Sequence, residues 1–335
     1  MPIWSEILTE LGETQGEGGT PNFDQVRRNY LTKLYQHTGN SVILYASCWL
    51  QKSDAPPALV SIGDEDIQAL MEVSQGLTGE RLDLIMHSPG GSPEAAEAIV
   101  SYLRQRFSHI RIIVPQLAMS AATMIACAAD EIVLGKHSFL GPTDPQILLP
   151  TSLGVRAVPA QAVLDQFDRA LEECADPAKL SAWLPMLGQY GPDLLVQCES
   201  ALDMSKELVK TWLETYMFKN AADRVERADF VSEWLANHGH FKSHSRHIPR
   251  DKVERCGLTV FPLEQDPELQ DLALSVFHAT THTFAGTPAA KIVESHTGRA
   301  FVKHHVGNAM PKLQLGIAQP DPGMPPEVLQ TGLPE

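Results

Sequence analysis

The residues best suited to chemistry are one serine and one glycine pair, each at a turn after an apolar run. Gly90 and Gly91 end the stretch LDLIMHSPGG, and Ser120 lies between the run HIRIIVP and a helix rich in small residues. A serine at a helix N-terminus has unpaired backbone N–H groups beside it, which can stabilise a developing oxyanion. The glycine pair can supply another donor, because backbone without a Cβ can approach a ligand closely. Either motif alone is typical of an ordinary turn, but both at this spacing predict a nucleophile with an oxyanion-binding turn.

The elements around these turns place them at one edge of a sheet. From residue 82 to 146 the sequence alternates apolar runs with helical stretches and predicts a βαβαβ unit. The run SVILYASCWL at 41–50 predicts a further core strand. In an open α/β sheet, ligands bind at the carboxyl ends of the strands. Both turns are therefore expected at the functional edge.

Two segments resemble known proteases. MHSPGGSPEAAEAI resembles the oxyanion-loop segment of the Clp protease proteolytic subunit and of signal peptide peptidase A, and AMSAATMIACAADEIVLGKHSFLGPTDPQ resembles their nucleophile helix and the following strand. Within the second segment, ADEIVLG and GPTDPQ are most similar to the serine dehydrogenase proteinase family. The resemblance is strong over 41–147 and weaker over 201–261. It implies an α/β fold of the Clp/crotonase type, with repeated ββα units, a mainly parallel sheet and helices packed outside.

The resemblance also implies a base, which a serine nucleophile needs at neutral pH. Aligned with the Clp subunit, Asp144 falls near the position of its histidine and His244 near that of its aspartate. The serine dehydrogenase proteinase family is described with the order Ser, Asp, His, which implies Ser120 as nucleophile, His244 as base and Asp144 as the residue that orients it. A turn-capping role for Asp144 remains open. An alignment error of one turn would promote His240 or His247 instead.

A lysine is the competing base. Signal peptide peptidase A, which this chain resembles in its serine helix, uses a Ser/Lys dyad. Lys206 and Lys210 lie one turn apart among apolar residues of a long helical stretch. Burial can lower the pKa of a lysine enough for it to act as a base. Each could equally be an ordinary solvated lysine, so both stay open as alternatives.

The function that the resemblance implies is an ATP-independent serine endopeptidase. Ser120 would attack the peptide bond, and the N–H groups of Gly90 or Gly91 and of Ala121 would form the oxyanion hole. The expected partners are a peptide or protein substrate and further copies of the chain in a homo-oligomer. No cofactor and no metal are expected. The alternatives are a non-catalytic scaffold or binding protein of the same fold and, more weakly, a crotonase-type acyl-CoA enzyme.

Composition limits the other classes. The formal net charge of -15 disfavours nucleic acid and anionic membranes as partners. Five scattered cysteines without a Cys-x-x-Cys pair indicate a reducing compartment. The sequence shows no signal peptide and no apolar run of about 20 residues. The expected location is therefore cytoplasmic, without a transmembrane segment. His278 and His282 have helical spacing, but no third ligand is evident, so a metal site is disfavoured.

The expected organisation has four parts. Residues 1–40 form a helical lead, and residues 41–262 form the core, with a helical insertion at about 148–200. Residues 263–309 are predicted to be a helical extension. The Pro-rich segment 310–335 is predicted to be disordered.

Overall fold

The computed structural model describes residues 3–16, 19–151 and 154–305. The helices in these ranges are α1 (Trp4–Glu13), α2 (Phe23–Thr38), α3 (Pro57–Val60), α4 (Asp66–Ser74), α5 (Pro93–Arg106), α6 (Ala121–Cys127), α7 (Ala160–Glu173), α8 (Pro177–Leu187), α9 (Leu194–Trp212), α10 (Arg224–Ala236), α11 (His238–Phe241), α12 (Arg250–Arg255) and α13 (Pro267–Gly286). The strands are β1 (Ser41–Ser47), β2 (Arg81–His87), β3 (His109–Val114), β4 (Leu117–Ala118), β5 (Glu131–Leu134), β6 (Phe139–Leu140), β7 (Gln146–Thr151), β8 (Gly154–Pro159), β9 (Ile248–Pro249), β10 (Val260–Pro262), β11 (Ala289–Ser295) and β12 (Ala300–His304).

A seven-stranded sheet forms the centre, in the order β10-β5-β3-β2-β1-β11-β12. The strands from β10 to β1 are parallel, whereas β11 and β12 are antiparallel additions at one edge. Every residue of β1 is buried, because helices cover both faces of the sheet. The predicted α/β fold with a mainly parallel sheet is confirmed.

Each face of the sheet has its own apolar layer. Residues of α4, α5, α6, α9 and α10 pack on one face, and residues of α2 and α13 pack on the other. Helix α6, which begins directly after Ser120, is buried along its whole length, which explains why four of its seven residues are Ala or Cys. The packing of α6 against its neighbours therefore fixes the position of the Ser120 turn at its N-terminus.

The C-terminal extension differs from the sequence expectation of a helix over 263–309. Helix α13 is present, but β11 and β12 then form an antiparallel hairpin that joins the central sheet beside β1. All seven residues of β11 are buried, so its sequence lacks the polar and apolar alternation that marks a half-buried strand. Full burial on both faces explains why sequence periodicity missed this strand.

The insertion also differs from a purely helical one. It begins with a two-stranded hairpin, β7 and β8, and continues through α7 and α8 into α9. A small apolar cluster of its own joins α7 to α9, with Val163 and Cys198 at its centre. The hairpin starts two residues after Asp144, so the insertion grows directly from the candidate site.

Residues up to His305 form one compact unit, so the lead, core and extension of the described chain are not separate domains. The predicted disordered segment 310–335 lies outside the described residues. In the described part of the chain, no helix combines the length and apolar character required to cross a bilayer.

Candidate active site

Ser120 occupies a strained turn at the start of α6. Its φ of 51° and ψ of −121° lie in a region that favours glycine, and a non-glycine residue held there costs on the order of 1–3 kcal/mol. The side chain is half-buried, and its Oγ makes no capping hydrogen bond to the helix. The Ser120 hydroxyl is therefore available to interact with a group outside its own turn.

Thr123 fixes this turn to its neighbours. Its buried Oγ1 donates a hydrogen bond to the carbonyl of Ala118 at 2.7 Å and accepts one from the Gly141 N–H at 2.9 Å. The first contact ties α6 to β4, and the second ties it to the chain that leaves β6. A single hydroxyl therefore couples the serine turn to the loop that carries Asp144.

The glycine pair lies directly against the serine. A Cβ on Gly90 would be 2.6 Å from both the Met119 carbonyl oxygen and the Ser120 Cβ, and the φ of Gly90 is +97°. The Gly90 N–H donates to the Ser88 hydroxyl at 3.2 Å, so this donor is already engaged. Only glycine fits this position, and its role is to allow close approach.

Gly91 has a different role. Ile62 donates its N–H to the Gly90 carbonyl at 2.8 Å and accepts the Ser92 N–H at 3.0 Å, in a parallel bridge centred on Gly91. In such a bridge the N–H of the central residue points away from the partner chain. Within the described chain, the N–H groups of Gly91 and Ala121 have no hydrogen-bond acceptor. Each of these two N–H groups is therefore available to a ligand.

A second, three-stranded sheet brings the remaining residues to the same edge. Strand β4 is parallel to β6, and β6 is antiparallel to β9. Ser120 lies two residues after β4, Asp144 lies four residues after β6, and His244 lies four residues before β9. Because β9 is antiparallel to β6, all three residues leave this small sheet at the same end of its strands. Adjacent strands in a sheet are about 4.8 Å apart.

Asp144 is only 1% exposed and accepts hydrogen bonds from two histidines. His244 Nδ1 lies 2.8 Å from Oδ1, and His238 Nδ1 lies 2.9 Å from Oδ2. The Gln146 side-chain amide donates to Oδ2 at 3.2 Å. An ionised carboxylate can only accept, so both Nδ1 atoms carry hydrogen, and in a neutral imidazole the Nε2 atom then keeps the lone pair. This is the tautomer that a general base requires.

The two lysines have different surroundings. Lys210 forms an ion pair with Asp229, and the hydrogen bond to that carboxylate raises the pKa of Lys210. Lys206 is half-buried, next to Ser205, whose hydroxyl donates to the Thr143 carbonyl at 2.7 Å. The backbone at Lys206 therefore lies near the Asp144 turn, whereas the Lys210 side chain is paired with Asp229.

The other histidines of this segment have separate partners. The ring of His240 packs against Trp234 at 5.5 Å, and the ring of His247 packs against Phe139 at 5.3 Å. Neither contacts Asp144 in the structure. Of the four histidines from 238 to 247, the structure thus brings two to the carboxylate.

His282 on α13 contacts Trp4 at the start of α1. His282 Nε2 lies 3.0 Å from the Trp4 carbonyl oxygen, and its ring packs on the Trp4 indole at 4.0 Å. Among residues 3–16, 19–151 and 154–305, no cluster of three or more His, Cys, Asp or Glu side chains could hold a metal ion.

The geometry agrees with a family comparison. Residues 59–179 match the family model described as ClpP-like SDH-type serine proteinase, which confirms the resemblance over that segment. The matched segment contains the glycine pair, Ser120 and Asp144, but neither His238 nor His244. The family match therefore carries no evidence about either histidine.

Two curated proteins of Methanocaldococcus jannaschii, both named only as uncharacterized, are similar to this chain. One is 38% identical over 144 residues, which cover 40% of this chain and 47% of the relative. The other is 37% identical over 125 residues, which cover 37% of this chain and 43% of the relative. The chain thus spans about half the length of the curated relatives it matches.

Sequence reasoning did not assign His238, Gln146 or Ser88. Gln146 stands within the GPTDPQ segment, two residues from Asp144, and Ser88 stands within HSPGG. Both lay inside recognised motifs but were not given a function. His238 had no such signal, because it meets Asp144 across 94 residues of sequence.

Proposed function

We propose that this protein is a serine peptidase with Ser120 as nucleophile, His244 as general base and Asp144 as the residue that orients the base. The observation that carries the proposal is the 2.8 Å contact between His244 Nδ1 and the buried Asp144 carboxylate, at the sheet edge where Ser120 emerges. A triad is recognised by geometry and roles, not by the order of its members in the chain.

The reaction follows from these atoms. His244 Nε2 accepts the Ser120 hydroxyl proton as Oγ attacks the peptide carbonyl carbon, and Asp144 stabilises the imidazolium that forms. The N–H groups of Gly91 and Ala121 bind the oxyanion. The C–N bond then breaks, and His244 returns the proton to the leaving amine. Water attacks the acyl-enzyme with the same proton transfers, releasing the carboxylate product and restoring the Ser120 hydroxyl.

The strained Ser120 backbone favours this function over a non-catalytic scaffold of the same fold. A scaffold has no need for a residue that costs stability in this conformation, whereas strain of this kind is found at functional sites. A crotonase-type enzyme also uses paired backbone N–H groups but needs no serine between them. Reactivity of Ser120 itself therefore separates the three functions.

A fluorophosphonate probe tests the proposal. The wild-type protein should be labelled at Ser120 and should hydrolyse casein-derived peptides, while Ser120→Ala should lose both properties and keep its fold. Ser101→Ala, on the exposed face of α5, is the matched control and should behave as wild type. His244→Ala should slow labelling by roughly 10²–10⁴-fold. Undiminished peptide hydrolysis by Ser120→Ala would overturn the assignment.

The homo-oligomer remains a prediction of its own. Apolar side chains stand exposed on the insertion, with Leu148 at 69% and Val155 at 70% exposure, and Leu171 and Leu184 also open to solvent. A homo-oligomer that packs through the insertion would cover these side chains. Light scattering at micromolar concentration should show several copies per particle. A particle of about 37 kDa, the mass of one chain, would contradict the prediction.

A further inference from the structure

His238 is a second histidine on the carboxylate proposed to orient the base. It lies 2.9 Å from Asp144 Oδ2, while His244 lies 2.8 Å from Oδ1. The side chains of His238 and His244 are 18% and 25% exposed, whereas Asp144 is 1% exposed. The carboxylate is thus enclosed between two imidazoles and has one oxygen for each.

The two histidines reach Asp144 from different parts of the fold. His244 precedes β9, which belongs to the same small sheet as the serine strand β4. His238 begins α11, directly after α10. The Leu235 carbonyl in α10 accepts the Thr143 N–H at 2.9 Å and fixes the backbone next to Asp144 on this side. His244 therefore belongs to the serine side of the carboxylate, and His238 to the α10 side.

The backbone around His238 is held firmly. Asn237 caps α11 by accepting the His240 N–H at 2.8 Å, and the His238 carbonyl accepts the Lys242 N–H at 2.6 Å. Lys242 has a φ of 62°, a left-handed conformation that turns the chain back toward His244. The ring of Phe241 packs edge-on against Trp234 at 4.9 Å. These contacts present the His238 imidazole as a fixed donor.

A fixed donor on Oδ2 restricts the rotation of the Asp144 carboxylate. The terminal torsion of an aspartate is broad, so a carboxylate held at one oxygen can rotate. Without His238, Oδ2 would keep only the Gln146 amide at 3.2 Å. With His238, both oxygens are anchored, and Oδ1 is aimed at His244 Nδ1. Partners of this kind orient the groups that do the chemistry and typically contribute 10–100-fold to activity.

We infer that His238 is a positioning residue that locks the Asp144 carboxylate so that its other oxygen fixes the tautomer and orientation of His244. The inference rests on the proposed function for its kinetic consequence, but the geometric part can be measured without catalysis. His238 donates a hydrogen bond from Nδ1–H and does not need to change its own charge. An asparagine amide can replace an Nδ1–H donor of this kind, whereas alanine cannot.

The test compares His238→Ala, His238→Asn, His244→Asn and His240→Ala. His240, two residues away and packed on Trp234, is the matched control and should leave all measurements unchanged. His238→Ala should lower kcat by about 10–100-fold with KM changed by less than about threefold. His238→Asn should recover most of that loss. If the alanine variant does not fold, the kcat of His238→Asn compared with that of His244→Asn decides the test. His244→Asn should not recover, because asparagine cannot accept the serine proton.

A measurement independent of activity accompanies the kinetics. In ¹⁵N NMR spectra, His244 of the wild type should show a protonated Nδ1 and an unprotonated Nε2, and His238→Ala should give a mixture of tautomers. An unaltered His244 tautomer together with wild-type kcat in His238→Ala would overturn the inference. His238→Asn as inactive as His244→Asn would also overturn it, because His238 would then be the base. If the wild type neither labels at Ser120 nor cleaves peptides, the proposed function fails, and the NMR result alone decides the positioning role.

Discussion

Asp66 and Asp144 are two buried carboxylates of one chain that differ in the chemistry of their partners. Asp66 is fully buried and accepts from the Lys291 ammonium at 2.8 Å, the Tyr45 hydroxyl at 2.6 Å and the Gly63 N–H at 3.0 Å. Lys291 is also fully buried, so the two form an ion pair away from water. Such a pair is costly to desolvate and costly to break.

Asp144 is equally buried, but its partners are two imidazoles and an amide instead of an ammonium. An imidazole can gain a proton near neutral pH, whereas an ammonium beside a carboxylate keeps its charge. The Asp66 arrangement therefore suits a fixed structure, and the Asp144 arrangement suits a group whose charge changes during a reaction. Burial alone does not distinguish a structural acid from a functional one.

The two acids nevertheless support opposite sides of the candidate site. Asp66 accepts from the Gly63 N–H and Lys291 donates to the Ser61 carbonyl at 2.7 Å, so the ion pair fixes both neighbours of Ile62. Ile62 is the residue that bridges Gly91. In the proposed mechanism the Asp66 pair holds the oxyanion side, while Asp144 holds the base.

The largest effect is expected for Asp144→Asn. An asparagine can offer an N–H to His244 Nδ1, which moves the imidazole proton to Nε2 and removes the lone pair that accepts the serine proton. The rate of peptide hydrolysis should fall by about 10⁴-fold, with the fold retained. Asp165→Asn is the control, since Asp165 accepts a hydrogen bond from Gln161 on an exposed helix face. A loss of less than about tenfold in steady-state kcat would assign Asp144 to a turn-capping role instead.

Asp66→Asn should act on stability. It leaves the Lys291 ammonium buried without a counter-charge, although burial already lowers the pKa of Lys291. The free energy of unfolding in urea should fall by about 3–5 kcal/mol. Adding Lys291→Met should restore a large part of it, because no unpaired charge remains.

The exposed pair of Arg299 and Glu72 supplies the control for Asp66. Glu72→Gln should change the free energy of unfolding by less than about 1 kcal/mol, since solvent screens such pairs. If Asp66→Asn lowers the free energy of unfolding no more than Glu72→Gln does, the Asp66 pair is not a rigid structural support. Asp66 would then not serve as the structural counterpart of Asp144.

His87 sharpens the comparison, because it is a buried titratable group without a charged partner. Neither ring nitrogen has a hydrogen-bond partner among the described residues, and burial lowers the pKa of His87 to about 4. Below about pH 6.5 the unfolded imidazole binds a proton that the folded one rejects until about pH 4, so stability is lost as the pH falls through this window. The loss attributable to His87 should reach about 3 kcal/mol near pH 4.

The measurement is the free energy of unfolding at neutral pH and near pH 4.5 for the wild type and for His87→Met. The variant should lose less stability on acidification than the wild type. His304→Asn, at an exposed position, should follow the wild-type curve. Parallel curves for His87→Met and the wild type would show that His87 does not contribute to acid sensitivity.

The residue types around Ser120 and the glycine pair could be recognised from sequence because their structural constraints are local. A Cβ at Gly90 would collide with the serine turn, and one at Gly91 would lie 2.2 Å from the Ile62 carbonyl oxygen, so backbone sterics fix the residue types. Small residues in α6 follow from its complete burial. Each of these requirements leaves a trace in a short stretch of sequence.

The base side could be predicted only through the family resemblance, and only in part. His244 and His238 meet Asp144 across 100 and 94 residues of sequence. The segment HGHFKSHSRH holds four histidines, and the α11 turn with Lys242 at positive φ selects which of them reach the carboxylate. A tertiary turn of this kind has no periodic signal, so sequence reasoning named His244 and left His238 unassigned.

The smallest effect on kcat is expected for substitution of the two lysines. If either lysine were the base, the contrast between a functional Asp144 and a structural Asp66 would fail. The hydrogen bond to the Asp229 carboxylate raises the pKa of Lys210, so this lysine stays protonated at neutral pH and has no lone pair to accept a proton. Lys210→Met should leave kcat unchanged and leave the free energy of unfolding close to the wild-type value, since solvent screens its exposed ion pair. Lys206 is the sharper case, because it lies beside Ser205 and therefore near the Asp144 turn. If His244 is the base, Lys206→Met should keep kcat within about threefold of the wild type, whereas loss of a general base costs roughly 10²–10⁴-fold. An inactive Lys206→Met combined with an active His244→Ala would transfer the role of base to the lysine and leave Asp144 with its two histidines as a second structural acid.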